Sequence, residues 1–232
     1  MKRLRVFAGP NGSGKSTLKT ILNDKLLGIY LNPDDIEKEL KDGIDLSKFK
    51  ITTSKKELKQ FFKDNDNFYK IDNFDLDKLI LKIDNPNSYV ASIITSFIRY
   101  KLLDTKHSFS FESVMSGSDK IKFLKVAKQK GFKIYLYFIA TYDPIINIRR
   151  VENRVKLGGH NVPKDKIISR YYRSIDNLIK AIPYTNRCYI FDNSNTDRNF
   201  LCEITEAKEV EIKVDEIPEW FMNVLTKLKD KK

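Results

Sequence analysis

Apolar positions fall into two recurring patterns along the chain: short continuous runs, and residues spaced three and four apart. Leu4-Arg5-Val6-Phe7-Ala8 reads as a short buried strand, and Leu18, Ile21, Leu22 and Leu26 give Ser16 to Leu27 a helical spacing. Gly28-Ile29-Tyr30-Leu31 is a second strand, after which Asn32-Pro33 opens a helix. Tyr89 to Leu103 is helical, His107 to Phe111 extended, and Lys120 to Gln129 a helix stopped by Gly131. The run Lys133 to Ile139 is almost continuously apolar, as in a strand buried on both faces. Ile145 to Leu157 and Lys164 to Ile182 are helices around Gly158-Gly159. Arg187 to Phe191 is a last core strand, and the alternating Val210 to Val214 fits an edge or hairpin strand. Strands alternating with helices predict an α/β fold: a parallel sheet flanked by helices.

Residues 43–84 break this pattern. They are rich in Lys, Asp, Asn and Phe, with no Gly after Gly43, and read as an insertion of one or two short helices. The expected organisation is therefore a single domain over 1–232, with an insertion at 43–84 and paired lid helices at 145–182. A length of 232 residues is compatible with that. No apolar run approaches about 18 residues, so no membrane span is expected. Two Cys (Cys188, Cys202) and two His (His107, His160) are too few and too scattered for a zinc site or a disulfide framework. A reduced, cytoplasmic protein is expected. Lys plus Arg is 43 against 31 Asp plus Glu, a net charge of +12 that favours anionic partners.

The chemistry starts at Gly9-Pro10-Asn11-Gly12-Ser13-Gly14-Lys15-Ser16-Thr17. The first eight residues fit G-x-x-x-x-G-K-[ST], with a strand before and a helix after. Glycines let backbone N–H groups close around phosphate oxygens, and a following helix adds partial positive charge. Lys15 is placed for the β- and γ-phosphates and the Ser16 hydroxyl for Mg²⁺, so ATP and Mg²⁺ are the expected ligands. The chain lacks the Asn-Lys-x-Asp that reads guanine and the Leu-Ser-Gly-Gly-Gln of transport ATPases. What remains is a nucleotide-kinase-like P-loop NTPase arrangement. Transfer to a hydroxyl then needs a carboxylate base and Arg.

Asn32-Pro33-Asp34-Asp35 follows the second strand, at the sheet edge where ligands bind. The same residues make an ordinary helix start, with Asn32 as N-cap. Beside a phosphate loop, Asp34 is the candidate base and Asp35 the capping partner. Ser108-Phe109-Ser110-Phe111-Glu112-Ser113 ends at the same edge, where Glu112 is placed to bond acceptor hydroxyls or help to hold Mg²⁺. Arg150 and Arg154 are four apart and share a helix face before Gly158-Gly159-His160, as a phosphate clamp would.

AGPNGSGKST, NPDDI, SFSFESVMSG, RVENRVKLGGHNVPKDKIISRYYRSIDNL and FDNS resemble, in this order, the zeta-toxin family of P-loop kinases. They resemble more closely its predicted-ATPase branch with the Gly-Gly-His-x-Val-Pro lid. The likeness covers 4–42 and 85–195. The best-known members transfer the ATP γ-phosphate to the 3′-hydroxyl of UDP-N-acetylglucosamine. The resemblance thus implies a small nucleotide-sugar acceptor and an antitoxin protein as partner. It implies Asp34 as base, Glu112, Ser113 and His160 on the acceptor side, and Lys15, Ser16, Arg150 and Arg154 around the phosphates. His160 stands where the toxins proper have a second lid Arg.

Two other readings follow from the charge and from the aromatics among the lysines of 55–70: a nucleic-acid-binding ATPase, and a kinase of nucleic-acid ends. Phe61, Phe62, Phe68 and Tyr69 read better as a small core under a charged surface, which makes nucleic acid the weaker expectation.

Overall fold

The computed structural model of the protein describes residues 1–65 and 74–230. Its elements run β1 (Arg3–Ala8), α1 (Lys15–Leu18), α2 (Asp24–Leu27), β2 (Ile29–Leu31), α3 (Pro33–Glu39), β3 (Ile44–Asp45), α4 (Lys55–Asn65), β4 (Phe74–Asp77) and β5 (Ile80–Ile83). They continue with α5 (Ser88–Leu103), β6 (Phe109–Ser113), α6 (Asp119–Gln129), β7 (Lys133–Ala140), α7 (Pro144–Lys156), α8 (Lys164–Ala181), β8 (Arg187–Asp192), β9 (Asn199–Thr205), β10 (Glu209–Ile212) and α9 (Glu219–Lys229). The chain divides into two compact units, Met1–Leu27 with Glu112–Lys232, and Gly28–Phe111. No described helix is long and apolar enough to cross a membrane.

The first unit is built on strands in the order β10-β9-β8-β7-β1. β1, β7 and β8 are parallel, with Val6 beside Leu136 and Phe138 beside Ile190. This explains their unbroken apolar runs: Leu4, Val6, Phe7, Ile134, Leu136 and Phe138 are all buried, because both faces of these strands are covered. β8, β9 and β10 pair antiparallel. α8 packs against α6, α7 and α9. Both thiols are buried here, and desolvation pushes Cys202 up to about 12 and Cys188 well above its ordinary range, so neither is a thiolate nucleophile.

Four differences from the pattern reading have physical causes. The expected helix Ser16–Leu27 is two short α-helical pieces with a 3₁₀ turn between them. Thr17 and Thr20 hydroxyls bond back to the carbonyls of Gly14 (2.8 Å) and Thr17 (2.7 Å), and Leu22 is extended. β6 ends at Ser113, so Glu112 and Ser113 lie within the strand and are buried. β9 and α9 carry no expectation from the pattern. In α9 the apolar face is Trp220, Phe221 and Val224; the Trp220 indole N–H donates to buried Asp192 at 2.7 Å. The fourth difference is in the second unit.

There, β2 pairs in parallel with Phe109–Phe111 of β6, and α3 packs on α5. The segment 43–84 is more than helices: it holds α4 and a three-stranded antiparallel sheet in the order β3-β5-β4. α4 docks through Phe61, edge-on to Phe97 at 5.2 Å, while Phe62 meets Phe74 at 5.1 Å. The expected aromatic core is present for these two; Phe68 and Tyr69 lie outside the described residues. The β4–β5 hairpin escaped the pattern reading because its two-residue turn is Lys78-Leu79, both left-handed (φ 45° and 71°), where Asn-Gly is the usual signal.

That turn holds L-residues in a region costing about 1 kcal/mol each. Lys78→Asn, which tolerates the conformation on an exposed site, is expected to raise the thermal midpoint by a few degrees. A thermal melt followed by circular dichroism checks this; an unchanged or lower midpoint would mean the turn carries no strain.

Candidate active site

The Gly9–Ser16 loop follows β1 in the first unit. Lys15 Nζ donates to Pro10 O at 2.9 Å, folding the side chain back over its own loop. The Ser16 hydroxyl donates to Glu112 Oε2 at 3.1 Å. Glu112 arrives from β6, whose end is tied to the loop by Gly9 N–H to Ser113 O at 3.2 Å. A hydroxyl and a carboxylate side by side are hard oxygen ligands, the donor set Mg²⁺ prefers when phosphates complete its shell. The residues present therefore fit that ion. α1 is a single turn of four residues, so the macrodipole expected behind the loop adds little. Any phosphate bound there would depend on the loop's own N–H groups and Lys15.

Two neighbours of the loop were not anticipated from sequence. Asn147, on the first turn of α7 and fully buried, donates through Nδ2 to Asn11 O at 2.6 Å. Asn193, just past β8, donates through Nδ2 to Ser13 O at 2.8 Å. The β8–β9 turn also brings Arg198, whose Nη1 lies 3.4 Å from Thr17 O. A signal for Asn147 exists: it is an amide four residues before Val151 on the buried face of an amphipathic helix. Asn193 belongs to the FDNS string, and nothing in its spacing gives it a role.

α7 and α8 join through Gly158-Gly159 and pack by Val151, Val162 and Ile167, with Ile148 and Val155 alongside. Glu152 and Lys164 pair across the turn at 2.8 Å. The two arginines expected to act as a pair have different surroundings. Arg154 Nη2 donates to His160 O at 2.8 Å and so holds the turn. Arg150 makes a long bond, Nη2 to Asn195 O at 3.4 Å, and among the described residues its buried Nη1 has no hydrogen-bond partner. His160 is exposed.

Asp34 and Asp35 belong to the second unit. The cap on α3 is Asn32, whose side chain accepts from Asp34 N–H at 3.0 Å; Asp35 does not supply it. Asp35 instead lines a cavity of about 660 Å³ with Tyr30, Asn32, Glu39, Lys48 and Phe49. Asp34 is exposed and does not line that cavity.

No protein-family model matches the chain. An uncharacterized protein of Haemophilus influenzae is 40% identical over 63 residues, a stretch covering 27% of this chain and 45% of that protein. The fold resembles the AvrRxo1-ORF1:AvrRxo1-ORF2 complex crystallised with sulphate ions and with ATP, at a TM-score of 0.62 and 14% identity in both. The alignment covers 97% of this chain and 63% of that one, so the chain spans less than two thirds of it. It also resembles a chain of the PezAT chromosomal toxin–antitoxin system of Streptococcus pneumoniae, at a TM-score of 0.51, 16% identity, 100% of this chain and 86% of that one. Identity this low speaks to the fold alone. That fold is α/β, with a mostly parallel sheet flanked by helices.

If Ser16 and Glu112 hold Mg²⁺, Ser16→Ala and Glu112→Gln will each remove at least about tenfold of the advantage that Mg²⁺ gives to ATP binding. Binding measured in a chelator will stay unchanged. Calorimetric titrations with and without Mg²⁺ check this; an equal loss in both conditions would remove the metal role.

Proposed function

We propose that the protein is an ATP- and Mg²⁺-dependent kinase that transfers the γ-phosphoryl group to a hydroxyl of a small acceptor, of the nucleotide-sugar class to which UDP-N-acetylglucosamine belongs. The observation that carries this reading is the Ser16–Glu112 contact at 3.1 Å beside Lys15, within a G-x-x-x-x-G-K-S loop at the end of a parallel strand. A regulatory or transport NTPase would need motifs this chain lacks. A structurally similar protein was crystallised with ATP, and PezAT is described as a toxin–antitoxin system; the latter supports an antitoxin protein as partner.

In this reading, backbone N–H groups of Gly12 to Ser16 and the Lys15 ammonium take the β- and γ-phosphates, within a loop whose other members are Gly9, Pro10, Asn11 and Thr17. Ser16 and Glu112 would hold Mg²⁺, which would supply charge neutralisation for those phosphates. Asp34 accepts the proton as the acceptor oxygen bonds to the γ-phosphorus; the bond to the β,γ-bridging oxygen breaks and ADP leaves. Arg150, whose Nη1 has no hydrogen-bond partner among the described residues, meets the charge that develops on the transferring group. Arg154 keeps the lid turn in shape and acts through it. Glu112, Ser113 and His160 face the acceptor, and Asp35 with its cavity serves acceptor binding rather than proton transfer.

The test incubates the protein with γ-labelled ATP and Mg²⁺ against nucleotide sugars, nucleosides and oligonucleotides, identifying product by mass. Label on a small hydroxyl compound is expected; label only on oligonucleotide ends or in free phosphate contradicts the reading. Asp34→Asn will keep ATP binding and lower kcat at least about a hundredfold, because an amide cannot take the proton. Asp35→Asn will alter acceptor KM with kcat nearly intact. A dead Asp35→Asn beside an active Asp34→Asn would move the base one residue on.

Arg150→Ala will lower kcat about a hundredfold with little change in ATP KM, whereas Arg154→Ala will act more weakly and lower thermal stability. Equal effects of the two would refute the division of roles.

A further inference from the structure

A phosphate-binding loop works only if its N–H groups point inward, which requires its carbonyl groups to point outward. Two peptide units here are the easiest to turn over. The Asn11–Gly12 and Ser13–Gly14 units are each followed by a glycine at positive φ (75° and 99°), where the opposite orientation costs no Cβ clash. Their carbonyls are the two that the unanticipated asparagines engage, Asn11 O by Asn147 Nδ2 at 2.6 Å and Ser13 O by Asn193 Nδ2 at 2.8 Å.

The approach is close enough to explain the glycines as well. A Cβ on Gly12 would lie 2.6 Å from Asn147 O, and one on Gly14 would lie 2.5 Å from Asn193 Nδ2. The asparagines occupy the space that side chains at 12 and 14 would need. Asn147 is itself held: its Oδ1 accepts from the Thr141 hydroxyl, and Thr141 O accepts from the Tyr171 hydroxyl at 2.5 Å. Burial pushes the Tyr171 phenol far above its usual range, so it remains a donor at any physiological pH. Thr141, Asn147 and Tyr171 are all buried. The accepted bond fixes the Asn147 amide with nitrogen toward the loop.

We propose that Asn147 and Asn193 are positioning residues that lock the two flippable peptides of the phosphate loop before nucleotide arrives. Through Thr141 and Tyr171 the lock ties the loop to both lid helices. This deepens the kinase reading for the affinity it predicts, while the lock itself exists without nucleotide.

The test uses Asn193→Ala, at a half-buried site where folding is least at risk, with Asn147→Ala and the donor-retaining Asn193→Gln beside it. In nucleotide-free protein, relaxation dispersion at the Gly14 amide is expected to appear in Asn193→Ala, to be absent from the wild type, and to be reduced in Asn193→Gln. Mg·ATP affinity is expected to fall about tenfold in Asn193→Ala, the size of one lost hydrogen bond to an outward carbonyl, with kcat at saturating ATP nearly kept. Asn147→Ala should do the same at Gly12. If the wild type binds ATP, an unchanged affinity in the variants overturns the proposal. A fall in affinity with no exchange at Gly14 also overturns it, because the side chain would then act on nucleotide directly. New exchange in the variants of a wild type that binds no ATP would sustain the lock and refute the kinase reading.

Discussion

The structure depends on where the carbonyl oxygens of one short loop go. A loop that presents donors to phosphate, as the one between β1 and α1 is proposed to do, turns an acceptor away with every peptide that serves it. Those acceptors need partners within the protein. Pro10 O is met by Lys15, Asn11 O by Asn147 and Ser13 O by Asn193. The partners come from the loop itself, from the first turn of α7 and from the end of β8, three places widely separated in sequence. The parallel register of β1, β7 and β8 brings them together, since α7 and Asn193 follow the ends of β7 and β8. The sheet therefore serves as a frame that delivers two amides to one loop.

The same frame separates the roles of the lid residues. α7 begins at the loop with Asn147, carries Arg150 one turn later and Arg154 one turn beyond that. The first anchors, the second has a buried nitrogen without a partner among the described residues, and the third is spent on the His160 carbonyl. Spacing alone makes Arg150 and Arg154 equivalent. Only the turn geometry at Gly158-Gly159, which places His160 O within reach of Arg154, tells them apart. With a net charge of +12, an extra surface arginine means little; one whose nitrogen is buried and unpartnered is costly unless an anion completes it.

Much of this was legible in the chain. Continuous apolar runs mark β1 and β7 because both faces of each strand are covered, and the loop motif is dense enough to read directly. What was hidden follows from effects that periodicity does not encode. Threonine hydroxyls competing for backbone carbonyls broke the helix expected over Ser16–Leu27. A left-handed Lys78-Leu79 turn concealed a hairpin inside 43–84. Asn32 caps α3 as its place before Pro33 suggested, but it does so alone, and the capping partner that the spacing gave to Asp35 is not formed. Asn147 and Asn193 were invisible because their importance lies in which carbonyls they reach, a property of the fold and not of their neighbours in sequence.

Whether the loop is formed before a triphosphate arrives can be read from its own amides. Amide resonances of Gly12 to Ser16, followed by NMR during titration with Mg²⁺ and a non-hydrolysable ATP analogue, test it most directly. The account predicts that these amides shift strongly as phosphate accepts their protons, while the side-chain amides of Asn147 and Asn193 keep their positions. Loop amides that do not move, or a loop whose asparagine contacts form only when the analogue is bound, would contradict it.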